Sequence, residues 1–282
     1  MTLKKKIFLT VKVVLLIAAV YIAGEIIISK YGLTVTPYEV ESDKIQQSFR
    51  FVQLTDLHNM SFGKDNSRLI KKIEEQDPDF ICMTGDMLNR DEQSVDVVTD
   101  LITRLSEKYP VFFSLGNHET AYEENFDTEL KETLEEAGAV VLNNEYKEID
   151  INGETIYIGG ISGYGLIEPV GDGSEYEFMK QFESLEGFKL LLCHIPAGML
   201  LWRGLEIWNM DLCLSGHEHG GQVRIPGIGG LYSQDEGFFP EYVDGQFENS
   251  GHTLILSRGL GSGGKPFPRF HNIPEIVTVD VK

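Results

Sequence analysis

The segment F-V-Q-L-T-D-L-H at residues 51–58 joins an apolar run to two side chains of metal-binding type. The apolar run predicts a buried strand that ends at Asp56. Residues two apart point the same way in an extended chain, so Asp56 and His58 are predicted to face one site. Four further apolar runs, at 80–84, 111–115, 190–193 and 212–214, are likewise followed by a polar residue able to bind metal.

Predicted strands and helices alternate along the chain, which indicates an α/β fold with a largely parallel sheet. Apolar residues at helical spacing predict helices over 66–76, 93–107 and 125–137. Shorter strands, predicted over 139–142, 145–150 and 154–159, indicate a second sheet packed on the first. Residues 226–250 are rich in Gly, Pro and aromatic residues and are predicted to form a long irregular loop beside the site.

The residues that follow the strands form an ordered set of five motifs. They are D-L-H at 56–58, G-D at 85–86, G-N-H-E at 116–119, His194, and G-H-E-H at 216–219. Each motif alone occurs by chance in many proteins, and a single histidine is more often a core or surface residue than a ligand. Here five of the seven histidines fall in the motifs, whereas His252 and His271 lie outside them and are predicted to be structural.

These residue types suit a pair of divalent metal ions. Sites in α/β sheets form beyond the carboxyl ends of the strands. Two ions about 3.5–4 Å apart need a bridging anion such as a carboxylate, and imidazole and carboxylate ligands suit Zn, Mn and Fe. The predicted metal ligands are Asp56, His58, Asp86, Asn117, His194, His217 and His219.

The ordered motifs resemble the signature of the calcineurin-like metallophosphoesterase superfamily: D-x-H, G-D, G-N-H-[DE], H and G-H-x-H. The match covers residues 56–219. Further stretches, G-G-Q-V-R-I-P at 220–226 and S-R-G-L-G-S-G-G at 257–264 with P-R-F and P-E-I, are similar to a narrower group. That group comprises membrane-anchored bacterial phosphoesterases resembling UDP-2,3-diacylglucosamine pyrophosphatases and cell-wall phosphodiesterases. The resemblance implies a four-layered α/β/β/α sandwich of two mixed sheets.

The resemblance also implies a role for each motif residue. Asp56, His58 and His219 would hold the first metal, Asn117, His194 and His217 the second, and Asp86 would bridge them. His118 would be the catalytic residue, near the leaving-group oxygen and not bound to metal. Glu119 stands where Asp is commoner in the family, and we expect it to orient His118.

The function implied is hydrolysis of a phosphodiester or pyrophosphate bond, on an envelope or lipid-linked substrate. Two alternatives are a phosphomonoesterase and a non-catalytic binding scaffold on the same fold; a scaffold would be expected to lose His118 or some ligands. Arg258 and Arg269 lie in Gly- and Pro-rich loops, where they are candidates to hold a second phosphate or an acidic head group. The alternative for both arginines is a solvent-facing loop charge.

The N-terminus predicts a membrane anchor. Lys4, Lys5 and Lys6 precede the mostly apolar segment 7–28, and about 20 residues cross a bilayer as a helix. The positive-inside rule places the lysines in the cytoplasm and the remaining chain outside it. A cleaved signal peptide is the alternative, and it also exports the body. The predicted organisation is an anchor at 1–28, a stalk at 29–48 and a metallophosphoesterase domain at 49–282.

The charge of the chain limits its partners. The formal net charge is -20, and from Lys30 onward the chain holds 20 basic and 43 acidic residues. Such a body repels nucleic acid, so no nucleic-acid partner is expected. It would also repel a phosphoester, unless a metal pair supplies positive charge in the site. Cys82, Cys193 and Cys213 lie in apolar runs and are predicted to be buried thiols.

Overall fold

The computed structural model describes residues 2–126, 129–166, 173–263 and 267–282. The strands are β1 (Thr34–Val40), β2 (Phe49–Leu54), β3 (Phe80–Thr84), β4 (Val111–Ser114), β5 (Ala139–Leu142), β6 (Glu145–Ile151), β7 (Glu154–Ile161), β8 (Phe188–Cys193), β9 (Leu212–Ser215), β10 (Arg224–Ile225), β11 (Gly229–Gly230), β12 (Tyr232–Ser233), β13 (Gly237–Phe238), β14 (Gly245–Asn249), β15 (His252–Leu256) and β16 (Glu275–Val281). The α-helices are α1 (Leu3–Tyr31), α2 (Ser67–Glu74), α3 (Asp96–Ser106), α4 (Asn117–Phe126), α5 (Leu130–Glu136), α6 (Ser174–Glu183), α7 (Ala197–Leu200) and α8 (Gly204–Ile207).

Two six-stranded sheets carry the fold. The first has the order β1-β16-β2-β3-β4-β5, and the second has the order β14-β15-β9-β8-β7-β6. In the first sheet β2 to β5 run parallel, and β16 is antiparallel to β2. In the second sheet β7, β8, β9 and β15 run parallel, with antiparallel strands at both edges. The prediction of two mixed sheets is confirmed.

Apolar residues on both faces of the strands place the sheets between helices. Alternate strand residues point to opposite faces, so Phe51 and Phe80 face the second sheet, whereas Val52 and Ile81 face α2, α3 and α5. Between the sheets, the rings of Phe51 and Phe80 stack with centroids 5.1 Å apart. Helix α6 covers the outer face of the second sheet. The four layers follow the predicted order α/β/β/α.

Most predicted elements appear within a few residues of their expected ends, but the helix predicted over 125–137 is wrong in extent. The structure has α4 before it and α5 within it, and residues 127–128 lie outside the described part of the chain. Only Tyr122 among the apolar residues of α4 is buried. Apolar periodicity therefore carried no signal for a helix that begins at Asn117.

The stalk predicted over 29–48 is wrong for half of its length, since residues 29–31 end α1 and residues 34–40 form β1. Residues Thr34–Val40 pair in parallel with β16 at the edge of the first sheet. The segment reads as polar because only one residue of β1 is buried, and an edge strand tolerates Pro37. The irregular loop predicted over 226–250 is likewise interrupted by short antiparallel pairs, β10 with β11 and β12 with β13, and it ends in β14.

Helix α1 is the one helix in the described part of the chain that is long and apolar enough to cross a membrane. It spans 29 residues, of which only Ser29 is buried. Its last turns pack on the body, because Asn272 N donates to Ser29 Oγ at 3.2 Å and the Tyr21 hydroxyl lies 2.5 Å from His271 Nε2. The helix is therefore joined to the body by direct contacts as well as by the chain.

Candidate metal centre

The predicted ligands come together at the carboxyl ends of strands from both sheets. Asp56 and His58 follow β2, Asp86 follows β3, and Asn117 follows β4. The remaining residues come from the second sheet, where His194 follows β8, and His217 and His219 follow β9. The two sheets thus contribute facing halves of one site.

The side chains form two groups that meet at Asp86. The ligand atoms of Asp56, His58 and His219 all lie within 4.8 Å of one another, and so do those of Asp86, His194 and His217. We call these the first group and the second group. Asp86 Oδ2 lies 3.2 Å from His194 Nε2 in its own group and 3.9 Å from His58 Nε2 in the first group. This carboxylate is therefore placed to serve two cations.

Asn117 adds a polar atom that needs a partner. Its Oδ1 is buried and has no hydrogen-bond partner among the residues that the structure describes. A buried amide oxygen without a partner is costly. A divalent cation bound at this oxygen would satisfy it, which fits the predicted role of Asn117 as a ligand.

Three imidazoles are held with Nε2 turned towards the centre. The Nδ1 atoms of His58, His194 and His219 lie 3.1 Å from Asn89 Oδ1, 2.7 Å from Thr84 O and 3.2 Å from Gly261 O. A carbonyl oxygen only accepts hydrogen bonds, so each Nδ1 carries the proton. Each Nε2 is left to bind a proton or a metal ion, and those of His58 and His219 are 3.4 Å apart. Such outer hydrogen bonds are typical of histidines that bind metal.

Asn89 was not anticipated from the sequence. Its Nδ2 donates to His58 O at 3.0 Å and to Glu92 Oε1 at 2.8 Å, which orients its Oδ1 towards the His58 ring. Replacing Asn89 with Ala is expected to weaken metal binding by about 10–100-fold, the usual effect of removing an outer hydrogen bond. Titration of the metal-stripped protein with Mn²⁺ or Zn²⁺ measures this.

The matched control for that prediction is Asn59→Gly. Asn59 also bonds to Glu92, at 2.9 Å, and its φ of 55° suits glycine. We expect the control to bind metal like the wild type. Equal affinities in the Asn89 variant and the wild type would contradict the assigned role of the Asn89–His58 bond.

The backbone turns sharply at the candidate ligands. The φ angles of Asp56, His58, Asp86, His217 and His219 are 54°, 50°, 51°, 75° and 50°. Residues other than glycine rarely adopt these left-handed conformations, which cluster at functional sites. The side chains of Asp56 and His58 therefore converge through tight turns, and not through the extended chain assumed in the sequence analysis.

Two glycines allow the loops of the first sheet to touch. A Cβ on Gly85 would lie 2.7 Å from Gly116 Cα, and a Cβ on Gly116 would lie 2.4 Å from Asp86 Oδ1. Both distances are shorter than any real contact. The close approach of these loops brings Asp86 beside the segment that carries Asn117 and His118.

Glu119 joins the same loops, which corrects its expected role of orienting His118. Its buried carboxylate accepts hydrogen bonds from the backbone N–H groups of Asp86, Met87, Leu88 and Gly116, at 2.7–3.2 Å. Burial and the nearby Asp86 raise the pKa of Glu119 to about 7, although the N–H donors favour its charged form. Glu119 therefore holds the backbone of the two loops of the site together.

His118 is held differently from the other histidines of the site. Its Nδ1 accepts a hydrogen bond from the backbone N–H of Arg90 at 3.2 Å, so in the neutral ring the proton is on Nε2. That Nε2 lies 3.9 Å from Asp86 Oδ2, and burial lowers the pKa of His118. A protonated Nε2 cannot bind a metal ion, but it can donate a proton to a substrate oxygen. One nitrogen of His118 lies within 4.8 Å of ligand atoms of His58 and Asp86, so it is the hydrogen bond at Nδ1, and not distance, that distinguishes His118 from the candidate ligands.

The buried carboxylates of the centre require positive charge. Burial, aided by Asp86, raises the pKa of Asp56 to about 6. Burial also disfavours the charged form of Asp86, yet the imidazoles of His194, His58 and His118 hold the pKa of Asp86 well below its usual range. Burial likewise opposes a charged His194, but Asp86 raises the pKa of His194 to about 10. A divalent ion would replace that proton and neutralise the carboxylates.

The structure contradicts one of the two arginines predicted to bind substrate. Arg269 is buried and donates to the carbonyl oxygens of Arg258, Gly259, Gly261 and Asn272 and to Asn272 Oδ1. No guanidinium donor remains for a phosphate, so this prediction is wrong for Arg269. Arg258 forms an ion pair with Glu275 at 2.7 Å, and its role in substrate binding remains a prediction.

A third arginine, Arg90, lies at the site although it belongs to none of the five sequence motifs. The backbone N–H of Arg90 donates to His118 Nδ1. Burial lowers the pKa of His118, and the charge of Arg90 adds to that effect, whereas burial raises the pKa of Tyr164 and the charge of Arg90 opposes the rise. Arg90 therefore supplies positive charge at the mouth of the centre. Residue 90 lies four residues beyond the G-D motif and belongs to no motif itself. The sequence alone therefore provides no reason to place Arg90 at the site.

Two ligand groups with one carboxylate between them, at the strand ends of an α/β/β/α sandwich, are typical of a dinuclear metallohydrolase. Residues 49–221 match the family model of the calcineurin-like phosphoesterases. The chain belongs to this family, whose members are dinuclear and metal-dependent, and it is a phosphoester hydrolase.

Several known proteins are similar to the chain. The metallophosphoesterase YkoQ of Bacillus subtilis (strain 168) is 28% identical over 238 residues, 81% of this chain and 84% of the relative. The phosphodiesterase YaeI of Escherichia coli (strain K12) is 29% identical over 219 residues, 76% of each chain.

Solved structures align with the chain at low sequence identity. A 5'-nucleotidase precursor from Thermus thermophilus aligns with a TM-score of 0.47 and 15% identity, over 78% of this chain and 50% of that chain. A dimetal phosphatase from Danio rerio aligns with a TM-score of 0.45 and 11% identity, over 75% and 87% of the two chains. The chain thus spans about half the length of the nucleotidase.

Proposed function

We propose that the protein hydrolyses a phosphodiester or pyrophosphate bond in an envelope or lipid-linked substrate, with two divalent ions of Mn, Zn or Fe. The first group would hold one ion, and His194, His217 and Asn117 the other, with Asp86 between them. The observation that supports the proposal most directly is that the histidines of the centre present two different kinds of nitrogen. Three imidazoles present Nε2 for a cation, whereas His118 presents an N–H.

The protein residues then have distinct tasks. A divalent pair, when bound, lowers the pKa of water so that a nucleophile exists at neutral pH, and it offsets charge on the phosphoryl oxygens. His118 holds its Nε2 proton towards the departing oxygen. Asn89, Thr84 and Gly261 keep three imidazoles in orientation, and Glu119 fixes the loops that carry Asp86 and His118.

The charge of the body favours diesters over monoesters. The chain has a formal net charge of -20, which disfavours a monoester dianion more than a diester monoanion. The similarity to a relative named as a phosphodiesterase supports the same choice. We expect a higher kcat/KM for bis-p-nitrophenyl phosphate than for p-nitrophenyl phosphate, with the full chain in detergent and Mn²⁺, Zn²⁺ or Fe²⁺ supplied in turn. A higher kcat/KM for the monoester with every metal would favour the phosphomonoesterase alternative.

Helix α1, with three lysines in its first turn, supports a membrane protein with the catalytic body outside the cytoplasm. Protease added to intact protoplasts is expected to degrade the body, which a C-terminal epitope tag reports on blots. A cytoplasmic marker protein should stay intact in the same sample. Protection of the tagged body until the protoplasts are lysed would contradict the proposed orientation.

A further inference from the structure

An apolar cleft opens beside the metal centre. Its walls include Val223, Leu231, Tyr232, Phe238 and Phe267, and it encloses about 580 Å³. Ligand sites are typically clefts of this size, lined mainly by apolar and aromatic side chains. The catalytic steps proposed above make no use of this cleft.

Both walls of the cleft are close to candidate ligands. Gly221 lines one wall and lies two residues after His219 of the first group. Gln234 lines another part and precedes Asp235, whose carboxylate lies within 4.8 Å of the ligand atom of His217. A molecule in the cleft would therefore extend towards the bond that is hydrolysed.

The rim of the cleft is unusually apolar for a surface. Phe238 and Phe267 are 71% and 69% exposed, and Phe239, the next residue after Phe238, is 60% exposed. Clustered exposed apolar residues in a body of strongly negative charge mark an interaction site. The cluster is suited to hydrocarbon and not to a charged partner.

The cleft also lies next to the end of helix α1. Val223 forms an isolated bridge with Phe270, and the next residue, His271, contacts Tyr21 of α1. Asn272 contacts Ser29, so the body touches α1 at two points eight positions apart, or about 12 Å along the helix. If α1 crosses the bilayer, these contacts hold the rim at the membrane surface.

We propose that the cleft binds an acyl chain of a lipid substrate, which enters from the adjacent membrane leaflet while its phosphoester reaches the metal centre. This inference rests on the proposed hydrolysis of diesters and assigns the chemical class of the group beyond the phosphate. Burial of each methylene in an apolar site raises affinity by about fourfold. The cleft would thus select long-chain substrates through the part of the molecule that does not react.

A series of p-nitrophenyl alkyl phosphodiesters, from methyl to octyl and below their micelle concentrations, tests this inference. The full chain is used in digitonin, whose rigid sterol does not imitate an acyl chain. We expect kcat/KM to rise by up to about fourfold per methylene in the wild type. The double variant F238S/F267S should lose most of this slope, whereas Phe239→Ser, at an exposed phenylalanine that does not line the cleft, should keep it.

The slope is a ratio of rates within one protein, so it does not depend on how much of each variant is active. A flat slope in the wild type would overturn the acyl-chain inference, although hydrolysis of the methyl ester would still support the proposed function. An equal slope in the wild type and F238S/F267S would place the alkyl chain elsewhere and would also overturn it. Failure to hydrolyse any of the esters with any metal would instead refute the proposed diesterase function.

Discussion

Replacing Asp86 with Asn is expected to lower kcat/KM by at least about 10³-fold and to reduce the bound metal to below two ions per chain. The substitution keeps the shape of the side chain and an acceptor for the backbone N–H of His118, which donates to Asp86 Oδ1 at 2.7 Å. It removes the charge that lies between the two ligand groups. Metal ions contribute several kcal/mol to catalysis, which corresponds to this loss in rate.

Elemental analysis and steady-state kinetics of the purified variant measure both effects. Asp91→Asn is the matched control, because Asp91 is an exposed carboxylate five residues along the same loop. We expect the control to keep two metal ions and normal turnover. An Asp86→Asn protein that also binds two ions and turns over normally would disprove the assignment of the centre.

Replacing His118 with Asn is expected to lower the rate on alkyl diesters by about 10²–10⁴-fold, the usual contribution of a general acid. An alkoxide needs a proton as it departs, whereas p-nitrophenolate leaves well unaided. The loss on p-nitrophenyl diesters should therefore be distinctly smaller. Two metal ions should remain, because Nδ1 of His118 accepts the Arg90 N–H and the protonated Nε2 is no ligand.

The comparison of the two substrates within one variant decides the role of His118. His252→Asn serves as the control, since His252 lies at the start of β15, outside the centre. Equal losses on both substrates, with full metal content, would indicate that His118 stabilises the oxygens that do not leave. Loss of one metal ion would show that His118 is a ligand.

The sequence predicted the parts of the fold in which local pattern and burial agree. The strand before Asp56 is covered on both faces in this sandwich, so most of its residues are apolar. Such a run can be recognised as a strand from the local sequence alone. The residue after each run lies at the same edge of the sheets. The positions of His58, Asp86 and His194 could therefore be inferred from the spacing of motifs before any coordinates were known.

The failures occur where distant contacts decide the outcome. Strand β1 is polar and half-exposed, and it exists because the C-terminal strand pairs with it. Arg269 lies in a loop composition typical of ligand binding, but five oxygen acceptors from the folded chain surround it. Asn89 and Arg90 reach His58 and His118 only after two loops close together.

The position of β16 has a consequence for the order in which the chain assembles. It follows the other described strands along the chain, yet it lies between β1 and β2 and pairs with both. Until β16 has left the ribosome, β1 lacks its partner strand and one side of β2 stays open. The first sheet therefore cannot close until β16 is available, and an early stop codon that removes β16 would leave an exposed strand edge prone to aggregation.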